Sequence, residues 1–303
     1  MGAHLTILVS GASGLVGSAL VPSLEKMGFG IARLLRPESG TGSAVSTEIV
    51  RWDPLKPLAP EKVSGFEAVI HLAGENIAGR WTAEKKSRIR GRIPATANLA
   101  RALSQAAEKP HVFVSASAIG YYGNRGDDIL NEESPGGAGF AADLARDWEA
   151  ATQPATEAGI RTVQMRVGIV LAANGGALGK MLPPFKMGLG GRIGDGRQWM
   201  SWIDLQDVVG AIHHVLKTEI LHGPVNLVAP NPVTNAEFSK TLAQALSRPA
   251  IFPMPAFAAR LAFGEMADEL LLSSQRVEPA KLCASGYSFR FPELRASLKN
   301  ILA

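Results

Sequence analysis

The sequence has a single cysteine, Cys283, in 303 residues. An internal disulfide is therefore excluded, and a reducing compartment, the cytoplasm, is the expected location. No base is placed beside this thiol in the sequence, so it is expected to be inert. No uninterrupted apolar run approaches the roughly 18 residues that a membrane span needs, and no membrane partner is expected. The first residues also lack the basic and then apolar pattern of a secretory signal. Charge of one sign is missing as well: 31 Lys and Arg against 27 Asp and Glu leave a formal net charge of only +4. The basic residues are dispersed, which argues against nucleic acid; the densest group, Lys85, Lys86, Arg88, Arg90 and Arg92, reads as a solvated helix face. His71 reads as a satisfied core imidazole, and His213 and His214 lack metal-ligand spacing, so no metal site is expected.

What is present is a regular alternation. Short runs rich in Val, Ile and Leu occupy residues 4–10, 30–35, 48–52, 68–73, 112–116 and 161–166, without the strict two-residue period of a half-exposed strand. Helical stretches lie between them, at 18–27, 83–108 and 141–158. The pattern predicts an α/β fold, a parallel sheet doubly wound with helices on both faces. Pro22 is a misfit within the first helix. Beyond residue 170 the texture changes. Residues 175–196 carry too many glycines and prolines for one helix, a short strand follows at 201–203, and Asp207 is placed to cap a helix over 208–216. Residues 225–228 read as another strand, and Thr234-Asn235-Ala236-Glu237 matches a capping box opening a helix at Ala236.

The loop SGASGLVGSAL, residues 10–20, sits between the first strand and the first helix. Gly11 permits a tight turn, Gly14 lets the backbone approach a pyrophosphate, and Gly17 allows close helix-on-strand packing. Amides of the first helical turn then face the anion, and Ser13 can add a hydroxyl. The end of the second strand argues for the cofactor type. A ribose 2′-hydroxyl is held by an acidic residue about 20 positions after the glycines, whereas a 2′-phosphate needs arginine. This stretch reads Arg33-Leu34-Leu35-Arg36-Pro37, with no carboxylate before Glu38. NADP(H) is therefore expected over NAD(H), by roughly tenfold to a hundredfold if one charge-assisted arginine contact decides it.

GASGLVG at 11–17, HLAGENIAGRWT at 71–82, SASAIGYYG at 115–123, MRVGIVL at 165–171 and GLGGRIGDGRQWMSWIDLQD at 188–207 resemble the short-chain dehydrogenase/reductase superfamily. Within it they are similar to the atypical subgroup of the nucleoside-diphosphate-sugar epimerase type. The resemblance spans essentially the whole chain. It implies a Rossmann domain at 1–170 with a return segment at about 201–228. Residues 171–200 and 229–303 would form a smaller C-terminal lobe closing over an unidentified small-molecule substrate. A monomer or a homodimer is expected. The resemblance places Gly11, Ser13, Gly14, Leu15, Val16 and Gly17 on the pyrophosphate, and Arg36, with Arg33 near it, on the 2′-phosphate. Asp53 would face the adenine, Leu72, Ala73 and Gly74 the ribose, and Ser115 and Ala116 the nicotinamide. Arg166 is counted among the cofactor's surroundings.

Active members of the superfamily use a serine, a tyrosine and a lysine four residues after the tyrosine. Hydride transfer at a carbon must be matched by proton transfer at its oxygen, and a tyrosine does this near neutrality only beside a cation. Ser117 aligns with the serine. Phe140 and Leu144 stand near the other two positions, and neither can move a proton. Three readings follow. Tyr121 or Tyr122 supplies the proton beside Ser117, helped by Arg166; or the chain binds NADP(H) without turnover, as a sensor or interaction module; or Asp143, Glu75 or Lys180 provides different acid/base chemistry. Trp81, the WMSW segment and the apolar 181–185 stretch would wall the nicotinamide end.

Overall fold

The computed structural model describes residues 5–38 and 48–303. Seven strands form one wholly parallel sheet: β1 (Thr6–Ser10), β2 (Gly30–Leu35), β3 (Glu48–Arg51), β4 (Ala68–His71), β5 (Val112–Ala118), β7 (Arg161–Val167) and β11 (Gly223–Leu227). The two-residue strand β6 (Ile129–Leu130) lies outside it. The sheet order is β11-β7-β5-β4-β1-β2-β3, so the winding reverses between β1 and β4. A crevice forms at the carboxyl ends of the strands at such a reversal, which is where these folds hold ligands.

Helices cover both faces. Helix α1 (Leu15–Lys26) packs with α7 (Leu205–Lys217) over Val9, Ile70 and Val114, while α3 (Arg92–Gln105) and α5 (Gln153–Glu157) cover Leu8, Val69 and Phe113. Burial on both faces explains why these strands read as continuous apolar runs. Between them lie α2 (Ala83–Arg90), capped by the Thr82 side chain, and α4 (Phe140–Ala150). A smaller lobe gathers α6 (Gly176–Lys186), α8 (Asn235–Ala245) and α11 (Leu294–Leu302), while α9 (Ala256–Phe263) packs through Phe263 toward Trp81 and Met266 and α10 (Ala280–Ala284) joins the sheet's core through Leu282. The short strands pair as β8 (Ile169–Leu171) with β10 (Trp202–Asp204), β9 (Trp199–Met200) with β12 (Val233–Thr234), and β13 (Arg276–Val277) with β6. The lobe has a core of its own around Trp202 and Phe238.

Four expectations need correction. The stretch 83–108 is two helices, α2 and α3, meeting at Gly91; Pro94 in the first turn of α3 has no N–H for the Arg90 carbonyl. The stretch 141–158 likewise divides into α4 and α5, with Pro154 opening the second. In the glycine-rich segment, α6 does form, with Pro183 and Pro184 inside it. Asp204, not Asp207, caps α7, its Oδ1 accepting from the Gln206 N–H at 2.8 Å. Asp207 is buried and instead pins the C-terminal segment, accepting from the N–H groups of Arg290 (2.7 Å) and Phe291 (2.8 Å). Pro22 lies within α1, below the exposed Ser18 whose carbonyl it leaves unpaired in the helix.

Candidate functional site

The β1–α1 loop carries the features of an anion cradle. Gly11 has φ +70°, and a Cβ there would sit 2.7 Å from the Leu72 carbonyl carbon, so any side chain would pry β1 from the end of β4. A Cβ on Gly17 would overlap the Gly11 carbonyl oxygen. Helix α1 begins at Leu15 behind Gly14, with no side-chain cap and no acid in its first turn. The amides of Leu15, Val16 and Gly17 thus have no partner within the helix and stand at its positive end, beside the exposed Ser13. The ends of the two central strands are tied together here: the Leu72 N–H donates to the Ser10 carbonyl (3.2 Å) and the Ala73 N–H to the Ser10 hydroxyl (3.3 Å).

Below this floor lies a buried polar chain. His71 Nδ1 meets Ser10 Oγ at 2.6 Å, and Nε2 meets Thr96 Oγ1 at 3.1 Å. The Trp148 indole N–H donates to the same threonine at 2.8 Å. Complete burial, with the Arg92 charge nearby, lowers the His71 pKa to about 4, so the ring is neutral at physiological pH. Arg92 itself is buried against the Trp148 ring, its guanidinium carbon 4.5 Å from the centroid. It donates to the carbonyls of Glu75 (2.5 Å) and Ile89 (3.0 Å) just beneath Gly74. Burial pushes its pKa down to about 10.

At the adenosine end, Arg36 is exposed immediately after β2, in a loop held by Arg51, whose Nη1 donates to the carbonyls of Arg36 (2.9 Å) and Pro37 (3.2 Å). Glu75 gathers the other cations, Lys85 at 2.6 Å and Arg88 at 3.7 Å. Its carboxyl is held below the usual range by the Lys85 hydrogen bond first, and also by Arg88 and Arg36. Lys85 and Arg88 are therefore not a bare solvated face but are gathered on Glu75, whose charge Arg36 also feels. Sequence reading missed this because the cations meet only through Glu75, ten residues from Lys85. Arg33, on β2, keeps its Nε buried and without a partner. Asp53 follows β3, where it accepts from the Leu55 N–H (3.1 Å) and pairs with Lys56 (3.5 Å).

The other end of the crevice differs. The alternation along β5 puts Ala116 on the side of Val114, whereas Ser115 and Ser117 share the face of Phe113, beneath the helices, and both serines are buried. The Ser117 hydroxyl donates to Glu149 on α4 at 2.7 Å. Arg166, expected among the cofactor's surroundings, is buried and bound to the same carboxylate through Nε and Nη2, each at 2.8 Å. Burial works against the guanidinium charge, but Glu149 outweighs it and holds the pKa above the ordinary arginine value. Arg166 Nη1 also donates to the Tyr122 hydroxyl (3.0 Å), which donates to Asn226 on β11 (2.8 Å). Tyr122 is fully buried, and burial pushes its pKa up to about 12 despite Arg166. The Asn226 N–H donates to Glu132 (3.0 Å), whose other carboxylate oxygen has no partner.

Ser117, Tyr122 and Arg166 are thus engaged within the protein, and Ser115 is buried on the Phe113 face of β5. Tyr121 differs: its ring lies on the Arg166 guanidinium, 3.5 Å from centroid to carbon, is half-buried, and its hydroxyl makes no hydrogen bond among the described residues. Phe140 and Leu144 are buried in an apolar cluster with Trp81, Ile89 and Met266, and neither side chain can move a proton. Of the other candidates, Asp143 pairs with Arg146 (2.6 Å) and Lys180 is exposed. Among the described residues, no group of three His, Cys, Asp or Glu side chains converges as a metal site, and no helix is long and apolar enough to cross a membrane.

A Rossmann-like sheet with a glycine cradle at its switch point defines a nicotinamide-nucleotide-binding protein of the dehydrogenase and epimerase type. The chain belongs to the NAD dependent epimerase/dehydratase family, whose model matches residues 7–227; a domain of unknown function, DUF1731, matches 254–301. It is 41% identical to the epimerase family protein Mb2239 of Mycobacterium bovis, over 95% of this chain and 94% of that one. The human epimerase family protein SDR39U1 is 38% identical over 99% of this chain and its own full length. The crystal structure of human SDR39U1 isoform 2 with NADPH superposes with a TM-score of 0.88 at 36% identity, covering 98% and 99% of the two chains.

Proposed function

We propose that this chain binds NADP(H) in preference to NAD(H) and acts as an epimerase-like oxidoreductase on a small-molecule substrate. The carrying observation is at the end of β2, where an NAD-selective site would present an acid: Arg36 stands there exposed, and the nearby acid Glu75, beyond β4, is already paired with Lys85 and Arg88. The glycine cradle supports the cofactor, since Gly11 and Gly17 keep the turn closed against β4 and α1, where a Cβ would strike backbone, and the first-turn amides of α1 have no partner within the helix. Gly11, Ser13, Gly14, Leu15, Val16 and Gly17 would hold the pyrophosphate, and Leu72, Ala73 and Gly74 the ribose side. When bound, the nicotinamide supplies or accepts the hydride. Tyr121 is assigned to the substrate oxygen, because it alone of the three predicted catalytic hydroxyls is free at the carboxyl end of β5.

A second reading, NADP(H) binding without turnover, is favoured by the commitment of Ser117 and Tyr122 to Glu149 and Asn226. Titration with NADPH and NADH, followed by cofactor fluorescence, tests the binding proposal. NADPH is expected to bind at least tenfold tighter, and Arg36→Ala to erase the gap. Equal affinities, or no binding, overturn it. A carbonyl-substrate screen with NADPH then separates the two readings: turnover lost in Tyr121→Phe and kept in Tyr122→Phe supports the enzyme, and an inert wild type supports the binder.

A further inference from the structure

The outer flank of the smaller lobe holds a cavity of about 500 Å³ that shares no residue with the nucleotide crevice. Arg192, Lys240, Arg248 and Gln244 supply its polar lining, and Ala243 and Ile251 are among its apolar walls. The volume is in the range of small-molecule sites. Three cations line the cavity and no carboxylate does. None of the three takes part in an ion pair among the described residues.

The cations are positioned by backbone devices rather than scattered. Arg248 follows the carboxyl end of α8, where Ser247 has φ +52°, the single positive φ of a non-glycine residue among those described. The Arg248 N–H closes back on the Ala243 carbonyl (2.9 Å) and the Ser247 N–H on that of Gln244 (3.1 Å). This is the helix-ending turn that glycine normally serves, and serine there costs conformational energy. The turn brings Arg248 round so that its Nε donates to the Lys186 carbonyl at 3.1 Å, leaving its remaining N–H groups available. Arg192 is placed by an absent side chain: a Cβ on Gly196 would lie 3.0 Å from both the Arg192 Cδ and the Ala236 Cβ. Glycine at 196 thus makes room for the arginine stem against α8.

We propose that this cavity binds a phosphate-bearing small molecule of about mononucleotide size. Two guanidinium groups and an ammonium suit a diphosphate, because arginine forks match phosphate oxygens in pairs and lysine adds a point charge. The alanine and isoleucine walls suit the flat apolar face of a base. The site is separate from the cofactor crevice, so its occupant can bind together with NADP(H).

Isothermal calorimetry with ADP as probe, on protein saturated with NADPH, tests this. Binding of one ADP per chain is expected, weakened at least tenfold in Arg192→Ala and in Lys240→Glu. Both substituted residues are exposed, so the variants are expected to fold, which circular dichroism checks. Absence of heat overturns the proposal. So does binding that the two variants leave intact, which assigns the ADP to another site. Failure of NADPH to bind is a separate result, and the Arg192→Ala and Lys240→Glu comparison still decides this site without it.

Discussion

The two halves of the sheet's carboxyl edge are built on opposite rules. At β1, β2 and β4, donors have no partner among the described residues: the first-turn amides of α1 are unpaired within the helix, and Ser13 and Arg36 are exposed. At β5, β7 and β11, donors and acceptors close on one another, from Ser117 through Glu149 and Arg166 to Tyr122, Asn226 and Glu132. Exposed donors at a helix start are solvated and open to an anion, whereas paired buried groups hold strands together. A residue's place in a superfamily motif is thus not its role. Ser117 stands where a catalytic serine would, and its hydroxyl donates to Glu149, tying β5 to α4.

The largest expected effect strikes the closed half. Glu149→Leu leaves the Arg166 charge buried and unpaired, and denaturant unfolding should show a loss of about 3–5 kcal/mol. The double variant Glu149→Leu/Arg166→Met should recover most of that loss. A double variant as unstable as the single would break the assignment of the pair as the source. Next comes His71, through pH. Its folded pKa, about 4, is below the unfolded value of 6.5, so the stability it supports is full above pH 6.5 and is lost as pH falls toward 4. Two to three pH units at about 1.4 kcal/mol each give a decline on the order of 3 kcal/mol, which His71→Asn should flatten in melts across that range.

Gly17→Ala acts on the open half. Its Cβ would overlap the Gly11 carbonyl oxygen, so a loss of about 1–3 kcal/mol in stability is expected together with loss of NADPH binding. Normal binding in that variant would show that the loop relaxes freely and is no cradle. The smallest effect belongs to Ser117→Ala. One hydrogen bond to a carboxylate that keeps its Arg166 partner is removed, at a cost of about 1 kcal/mol in unfolding free energy.

The open half was legible in the sequence because its rules are local. Glycines at fixed offsets between a strand and a helix, and an arginine in place of an acid after β2, carry their meaning within about 25 residues. The closed half was not, because its members meet across long separations: 32 residues from Ser117 to Glu149, 104 from Tyr122 to Asn226. A weaker signal existed. Glu149 follows Trp148 on a helix whose buried positions include Leu144 and Ala145, and Arg166 interrupts an apolar strand. An acid and a base at positions whose periodicity demands burial are expected to find each other. The helix breaks near Pro94 and Pro154 were also local, and were overlooked because the apolar period continues across them.

The measurement that tests this contrast most directly is the NADPH dissociation constant of Ser117→Ala set beside that of Arg36→Ala. The account predicts an affinity within about twofold of wild type for Ser117→Ala, and a loss of about tenfold or more for Arg36→Ala. The reverse order, with Ser117→Ala crippling binding and Arg36→Ala sparing it, would contradict the division of the sheet edge into an open ligand-binding half and a closed structural one.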